Sequence, residues 1–568
     1  MRGLLTFFFV FVFSLGFGQE VVSDNLILHY DTRDSDSYPG TGNTLNDLSG
    51  NNRHATITNS PSYFSGLFSF SESDEAYITS PNLSSVITSS NDTHTLEVWA
   101  YVTGNGVVAQ WNNTTTPSAS YHFSTIEIVN GFVEFGLWED TGLTSSSGVS
   151  SVAFNQWHHF VLSYDDSTNV LKGYHNGIEE ANMTNIEFDS PAVGTNHAYL
   201  SFGESDFTNQ GNGSEFDGKL GVIRLYDDVL SKEEVVQNFY KDISLRGSFD
   251  LTVSSSTGTE GSDWLKTGEI LFPIKSGAQV KSGDIVNYLS SGNLTIEADN
   301  ITFSADVTHN TTNTFKILAK TKISNSTSVS IESGGGNIIF SADADGSGAG
   351  SIYFPHGLTV RSDGGDIVFG GGDSNGSGYA RGYGDKYEEA IDFRGTTTIE
   401  SYGGNITFRG KSDSGVANEQ GIWGVGFWDN TAKTIDAGTG KIYMEGISYG
   451  SDTTNDYPFG ITLDGSTVTL QSANPSEDAI VLKGINYSGG PGGSEGIDGR
   501  GIDLRADNTK IYATGESGGI LLEASGYYGF TLYNDIELLA KSGPIRINNT
   551  FDGGATDLYI AQNVFIGS

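Results

Sequence analysis

Between Leu294 and Ala540 the chain rewrites one short phrase eight times, and that repetition constrains the fold more than any other feature. VSIESGGGNIIF (Val329 to Phe340), LTVRSDGGDIVF (Leu358 to Phe369) and TTIESYGGNITF (Thr397 to Phe408) are clear copies. Each copy has an apolar anchor: Ile296, Ile331, Val360, Ile399, Ile435, Leu470, Ile511 and Leu538. Two residues after each anchor stands Ala or Ser: Ala298, Ser333, Ser362, Ser401, Ala437, Ser472, Ala513 and Ala540. Residues two apart on a strand share a face, so anchor and small residue both point inward. A glycine or polar corner follows, then a second apolar strand, such as Ile406 with Phe408. A third precedes most anchors, such as AIDF ending at Phe393. One such unit cannot bury its apolar strands alone; stacking on its neighbours supplies the missing face. The pattern predicts a right-handed parallel β-helix over 284–568, each unit lying about 4.8 Å from the next.

Length variation collects after the second strand. The longest inserts run from Gly370 to Glu389, Glu445 to Pro458 and Lys483 to Arg500, and they are rich in Gly, Asp, Ser and Tyr. Stacking in register gathers these loops on one flank. Tyr on polar loops above a rigid scaffold suits recognition, so Tyr383, Tyr387, Tyr449 and Tyr487 are candidate ligand contacts. Tolerated insertion at one corner is the competing account.

The 568 residues exceed one ordinary core, and 75 glycines with 17 % charged residues favour an all-β chain. The formal net charge of −40 disfavours nucleic acid and anionic membranes as partners and favours cations. Arg2 followed by the apolar run Leu4 to Phe17 reads as a secretory signal peptide over 1–18, cleaved near Gly18. No other long apolar stretch follows, so the mature chain is expected to be secreted or held at a bacterial cell surface without a membrane span. The absence of cysteine excludes thiol catalysis and Cys-ligated metal.

Residues 21–247 alternate short strands with Gly, Asn, Asp and Ser turns, which predicts a sandwich. Ser231 with Glu234 three residues on is a capping box for a short helix. LILHYD, DLSGNNRHATI (Asp47 to Ile57), LEVWAYV, QWHHFVLSYD, GYHNG and FDGKLGVIRLYDDVLSKEEV together resemble the laminin-G-like, concanavalin A-like lectin/glucanase jelly roll. That resemblance implies a fold shared by binding modules, spacers and enzymes. An enzyme of this type would need two carboxylates about 5 to 10 Å apart. The alternate-position acidic run that such glucanases use is missing: Glu72 to Glu75 has the composition but the wrong register, so no catalytic residue is assigned. For binding, Trp111 and Trp138 stand beside polar residues and are the sandwich candidates, while Trp99 and Trp157 fall inside strand phrases and read as core. The resemblance also implies a structural Ca²⁺ at the rim, for which Asp47, Asn51 and Asp74 are the candidate oxygen ligands. Ser71 replaces one acidic position of the family pattern there.

The G-x-I-x-F phrasing of the repeats is similar to the filamentous-haemagglutinin-like β-helix repeats of bacterial adhesins. The arginine cluster of a lyase is not evident, with Arg361, Arg394 and Arg409 scattered. Residues 248–283 read as a Ser/Thr/Gly-rich linker and then a cap over the first unit, with Trp264 and Phe272 as its apolar contacts. Ile566 and Ser568 restart the anchor pattern, which leads us to expect a piece of a longer surface protein. The expectation is an all-β, exported, adhesin-like protein: a jelly-roll β-sandwich that binds extracellular glycans or glycoproteins, carried on the repeats. A carbohydrate-active enzyme or its accessory module, and a spacer that binds nothing, are the alternatives.

Overall fold

The computed structural model describes residues 20–567 apart from 72–74, 88–91, 113–121, 140–141, 187–197, 204–215, 248, 383–388, 413–422, 450–457, 488–499, 527, 534, 551–555 and 561–563. The expected leader therefore lies outside the described residues, as do Asp74, Tyr383 and Tyr387. The chain divides into two compact units, one holding 18–247 and the other 248–568.

The first unit is a sandwich of two 8-stranded antiparallel sheets. One is built around His94–Val102, flanked by Gln156–Asp165 and Gly218–Tyr226. The other runs through Gly106–Asn112, His122–Val129 and Phe132–Glu139. Inner faces supply a core including Leu96, Val98, Phe135, Phe160 and Leu200. Helix Lys232–Lys241 covers part of the outer face of the first sheet. Its capping box forms as the sequence indicates: the Glu234 backbone N–H donates to Ser231 Oγ, and the Ser231 N–H donates to the Glu234 carboxylate. Phe239 of this helix stacks on Trp99 at 5.4 Å and 3°, so Trp99 is buried as expected.

Beneath the helix lies an ionic network. Arg224, 1 % exposed, pairs with Glu97 at 2.6 Å and with Asp242, which also binds Arg33 at 2.7 Å. Glu97 further accepts from Asn238 at 2.7 Å and contacts His159 at 3.1 Å. Burial alone would push the Glu97 carboxyl up; the Arg224 guanidinium and the His159 contact overrule it and hold it below the usual carboxylate range. Burial likewise opposes ionisation of Asp242, and Arg224 and Arg33 bring it below its ordinary value.

In the second unit the repeats pair as parallel ladders. The first strands form a nine-stranded parallel sheet in which Val307, Ile331, Val360, Ile399, Ile435, Leu470, Ile511, Leu538 and Ile566 stand in register. Second and third strands lie in a 21-stranded sheet. There Ile367, Ile406, Ile442, Ile480 and Ile520 form one column, and Ile391, Val425, Ile461 and Ile502 another. Phe340, Phe369 and Phe408 stack at 4.6 and 5.0 Å within 3° of parallel, near the strand spacing of about 4.8 Å. A second phenylalanine column, Phe354, Phe393 and Phe427, meets them edge to face. One continuous core runs from Leu251 to Ala540.

The small inward residue has a physical reason. Ser333 Oγ donates to the Gly336 carbonyl at 2.6 Å, and the Ser362 and Ser401 hydroxyls reach the carbonyls of Gly365 and Gly404 in the same way. A small side chain fits this tight corner and satisfies it. The corner glycine is equally constrained: a Cβ on Gly404 would lie 2.0 Å from the Gly365 carbonyl oxygen.

Two expectations change here. Ile296 is not an anchor; it pairs with Ile317 and, through it, with Phe340 of the second-strand ladder, so Val307 holds the anchor place in that rung. Ala298 matched the pattern because alternating apolar and small residues serve both ladders. The linker is also revised: Leu251–Ser254, just ahead of the Ser/Thr/Gly run, is a strand paired to Ala278–Lys281 and to Ile301–Phe303, with Leu251 and Val253 in the core. Trp264 and Phe272 are buried beside it, on hairpin strands Trp264–Thr267 and Ile270–Pro273.

Candidate functional site

Of the sequence candidates on the sandwich, Trp111 is 1 % exposed. It lies on a strand buried along its whole length, packed edge-on against His94 at 5.9 Å. It is core, and the polar residues around it are interior partners: Gln110 Nε2 donates to Asn112 Oδ1 at 3.0 Å. Trp138 falls on Phe132–Glu139, but its side chain lies outside the described residues. Asp47 and Asn51, two of the three calcium candidates, hydrogen-bond within the chain. Asp47 Oδ1 accepts the His29 and Ser49 N–H groups, and Oδ2 accepts the Ser49 hydroxyl and the Arg53 N–H. Asn51 Nδ2 donates to the Leu26 and Ile27 carbonyls. Together they close a turn onto Leu26–Asp31, with both oxygens of the Asp47 carboxylate hydrogen-bonded within the chain.

The sandwich does carry a half-buried aromatic row, of which sequence reasoning assigned Trp157 to the core and left Tyr101 and Lys219 unassigned. Lys219, Tyr101 and Trp157 stand opposite one another on three adjacent strands. The Tyr101 and Trp157 rings meet at 5.7 Å, near perpendicular, and Lys219 Nζ lies 5.4 Å from the Tyr101 ring. All three are half-buried. Trp157 settles over Gly221, whose missing side chain makes room for the indole. Alternation alone marks Tyr101 and Trp157 as sharing the face of Trp99; Trp99 is fully buried against Phe239 whereas Tyr101 and Trp157 stay half-buried, and that difference was not readable locally.

On the repeats, Tyr449 and Tyr487 come together as stacked rings, 4.7 Å apart and 20° from parallel. They follow Ser448 and Asn486, which pair in register, so adjacent rungs place the rings one above the other. Lys411, one rung below, sets its Nζ 5.0 Å from the Tyr449 ring. Tyr449 is thus covered on both faces, whereas Tyr487 is 58 % exposed. Beside them Arg409 lies 5.4 Å from the Tyr443 ring, and the Tyr443 hydroxyl donates to Glu445 at 2.9 Å. Tyr379 hydrogen-bonds to Glu445 as well; burial and that carboxylate push its hydroxyl up to about 12. The missed residues, Tyr379, Arg409, Lys411 and Tyr443, sit on strands or a neighbouring insert, and only register brings them to the two loop tyrosines.

Residues 72–236 match the family model Laminin_G_3, described as the concanavalin A-like lectin/glucanases superfamily, which makes the first unit a lectin-like jelly roll. No curated protein matches the chain. Among solved structures, the chain is similar to a botulinum neurotoxin type C described as entering cells through two ganglioside molecules (15 % identity, TM-score 0.28, covering 38 % of this chain and 51 % of that one). It is similar also to the receptor-binding domain of a botulinum neurotoxin C/D mosaic serotype (17 %, 0.29, 39 % and 52 %). A third is domain 4 of an extracellular GH43 arabinanase from Geobacillus stearothermophilus, in complex with arabinotriose (18 %, 0.27, 38 % and 98 %). The chain spans about half the length of the neurotoxin structures it matches. Among the described residues no helix is long and apolar enough to cross a membrane.

Proposed function

We propose that this is an exported, adhesin-like binding protein in which the jelly roll holds extracellular glycans without cleaving them. The repeats behind it form a right-handed parallel β-helix that carries the sandwich from a bacterial surface. Residues 1–18 act as the leader. The β-helix reading is supported by three strands per repeat, each in register with the next repeat's, around one continuous core. The observation that carries the binding function is the Lys219–Tyr101–Trp157 row. Two aromatic rings at right angles on a rigid sheet offer a stacking face and an edge, and the ammonium beside them can hydrogen-bond sugar hydroxyls. The test is a glycan array with the full-length chain and its Tyr101→Ala and Trp157→Ala variants. The reading expects a defined set of glycans bound by the wild type, lost in both variants, with no release of reducing ends. Release of reducing ends would replace it with an enzyme, and no glycan bound at all would leave a spacer.

A further inference from the structure

We propose that one edge of the sandwich carries a pH-sensitive clasp, closed while His175 holds a proton on both ring nitrogens and loosened as pH rises and the ring loses one. The clasp belongs to the fold of the sandwich and does not depend on what that unit binds.

The clasp is a chain of polar groups that joins the two sheets. Strand Ile178–Thr184 is the edge of the first sheet, and strand Gly142–Ser151 is the edge of the second. Where Ile178–Thr184 pairs with Val170–His175 the register shifts: Gly173 faces Ala181 and Tyr174 faces Glu179, which leaves Glu180 as an extra residue. A bulge of this kind re-aims a side chain. The Glu180 side chain is 3 % exposed, and its Oε1 lies 3.5 Å from His175 Nδ1. His175 Nε2 lies 2.9 Å from His158 Nδ1, and His158 Nε2 lies 2.8 Å from the Ala153 carbonyl. At the other end the Ser150 N–H donates to Glu180 Oε2 at 3.2 Å. The chain thus leaves segment 150–153 and returns to it, tying the edge of the second sheet to three strands of the first.

Donor and acceptor roles fix the state of each ring. The Ala153 carbonyl only accepts, so His158 carries its hydrogen on Nε2 and presents a lone pair at Nδ1. Asn176 agrees: its Oδ1 accepts the His159 N–H at 3.0 Å, so its Nδ2 is the group turned to His158 Nδ1, 3.5 Å away. His175 must then donate from Nε2. Its Nδ1 faces a carboxylate, which also only accepts. A neutral imidazole has one N–H and the chain needs two, so His175 is an imidazolium. The surroundings fit that charge. Burial opposes ionisation of Glu180, and the contacts to His175 and Ser150 overrule it and hold it below the usual carboxylate range. Burial first, then the charge of His175, pushes His158 down to about 3, and Arg246 acts in the same direction. Phe160 stacks on both rings and brings no charge, while Glu179 and Lys172 of the same hairpin pair with each other at 3.2 Å. When His175 gives a proton to solvent, one of its two donated bonds becomes a lone pair facing a lone pair. The charged ring therefore contributes at low pH, and its contribution is lost as pH rises through the ring's ionisation.

The test is hydrogen exchange of the full-length protein, read by mass spectrometry on peptides spanning 142–155, from about pH 5 to about pH 9. Each rate is divided by that of an unstructured peptide at the same pH. Wild-type protection should fall about ten-fold across the ring's ionisation, while peptides spanning 358–369 of the repeats should hold steady. Glu180→Gln is the decisive variant. Its amide offers Oε1 to Ser150 and Nε2 to His175, so a neutral ring completes the chain; protection should stay within about two-fold of the low-pH wild type throughout. His175→Phe, which keeps a ring and removes both donors, should lower protection about ten-fold at every pH. Wild-type protection that ignores pH overturns the proposal. So does a Glu180→Gln variant that loses protection with pH as the wild type does, or an equal fall in 358–369, which would mean general loosening.

Discussion

The two units bury charge in opposite ways. In the sandwich, Arg224 reaches Glu97 across 127 residues and Arg33 reaches Asp242 across 209, so one network ties the first strand, two central strands and the helix end. In the repeats the pairs with a fully buried partner are local: Arg394 with Asp392, Arg500 with Asp503 and Lys433 with Asp429 lie two to four residues apart, while the more exposed pairs, such as Arg361 with Glu332 and Glu400, join only neighbouring rungs. A long-range network makes distant segments depend on one another, so a single break is felt throughout that unit. A local pair belongs to one turn, and its loss stays in one rung of a stack whose stability is a sum over neighbours. The units should therefore differ in how they fail.

The largest effect is expected from Arg224→Met, which leaves Glu97 and Asp242 buried without their common partner. The cost is about 3–5 kcal/mol to the sandwich. Thermal unfolding should show the sandwich transition falling steeply while the repeats' transition stays. A joint shift of both would break the comparison. Acid probes the same network next. Glu97 and Asp242 have folded pKa values below their unfolded ones, so their contribution is complete above the unfolded values, near 4, and is lost as pH falls through the lower folded values. Circular dichroism melts below about pH 4 should lower the wild-type sandwich transition more than that of Arg224→Met, which has lost the ionic partner already.

The contrast also decides what was legible beforehand. The repeat phrase carries its own structure: Ile399, Ser401, Ile406 and Phe408 are buried in the places their alternation assigns. Local rules sufficed because each rung meets only copies of itself. They failed at Ile296, where the first rung has no preceding copy to fix the register. In the sandwich, local pattern located Trp99 and the Ser231 cap, and misjudged Trp111 and Trp157. Whether an aromatic on a strand is covered depends on segments far away in the chain, as Phe239 of helix Lys232–Lys241 covers Trp99. The partner that joins Asp47 to the first strand, the His29 N–H, is likewise 18 residues away and could not be read from the turn alone. The tyrosine patch was half legible: loop position gave Tyr449 and Tyr487, and cross-rung register was needed for Arg409 and Lys411.

A moderate effect should follow Gly404→Ala. The added methyl would stand 2.0 Å from the Gly365 carbonyl oxygen, so neighbouring rungs must part. Overpacking of this kind costs about 1–3 kcal/mol. If failure in a stack is local, hydrogen exchange should speed up in the first-strand amides of rungs Leu358–Arg361 and Thr397–Glu400 and remain slow near Leu470 and Ile511. Uniform acceleration along the stack would mean that the rungs unfold as one body, and the distinction drawn from the ion pairs would not extend to packing.

The smallest effect belongs to Ser401→Ala. Its single hydroxyl proton serves the Gly404 carbonyl, with the Ala437 carbonyl a further 3.2 Å contact, and that one donor is lost on substitution. A lost hydrogen bond of this type costs about 0.5–1.5 kcal/mol. The stack itself argues for the lower end, because the next rung has Ala437 at the equivalent place, fully buried, with its neighbours still in register. The reverse substitution is the sharper half of the experiment. Ala437→Ser supplies a hydroxyl to a corner whose Gly440 carbonyl already accepts from Ser472 one rung on at 2.7 Å. If corner hydroxyls act rung by rung, Ala437→Ser should change the unfolding midpoint by less than Ser401→Ala does, because its acceptor is already served from the next rung.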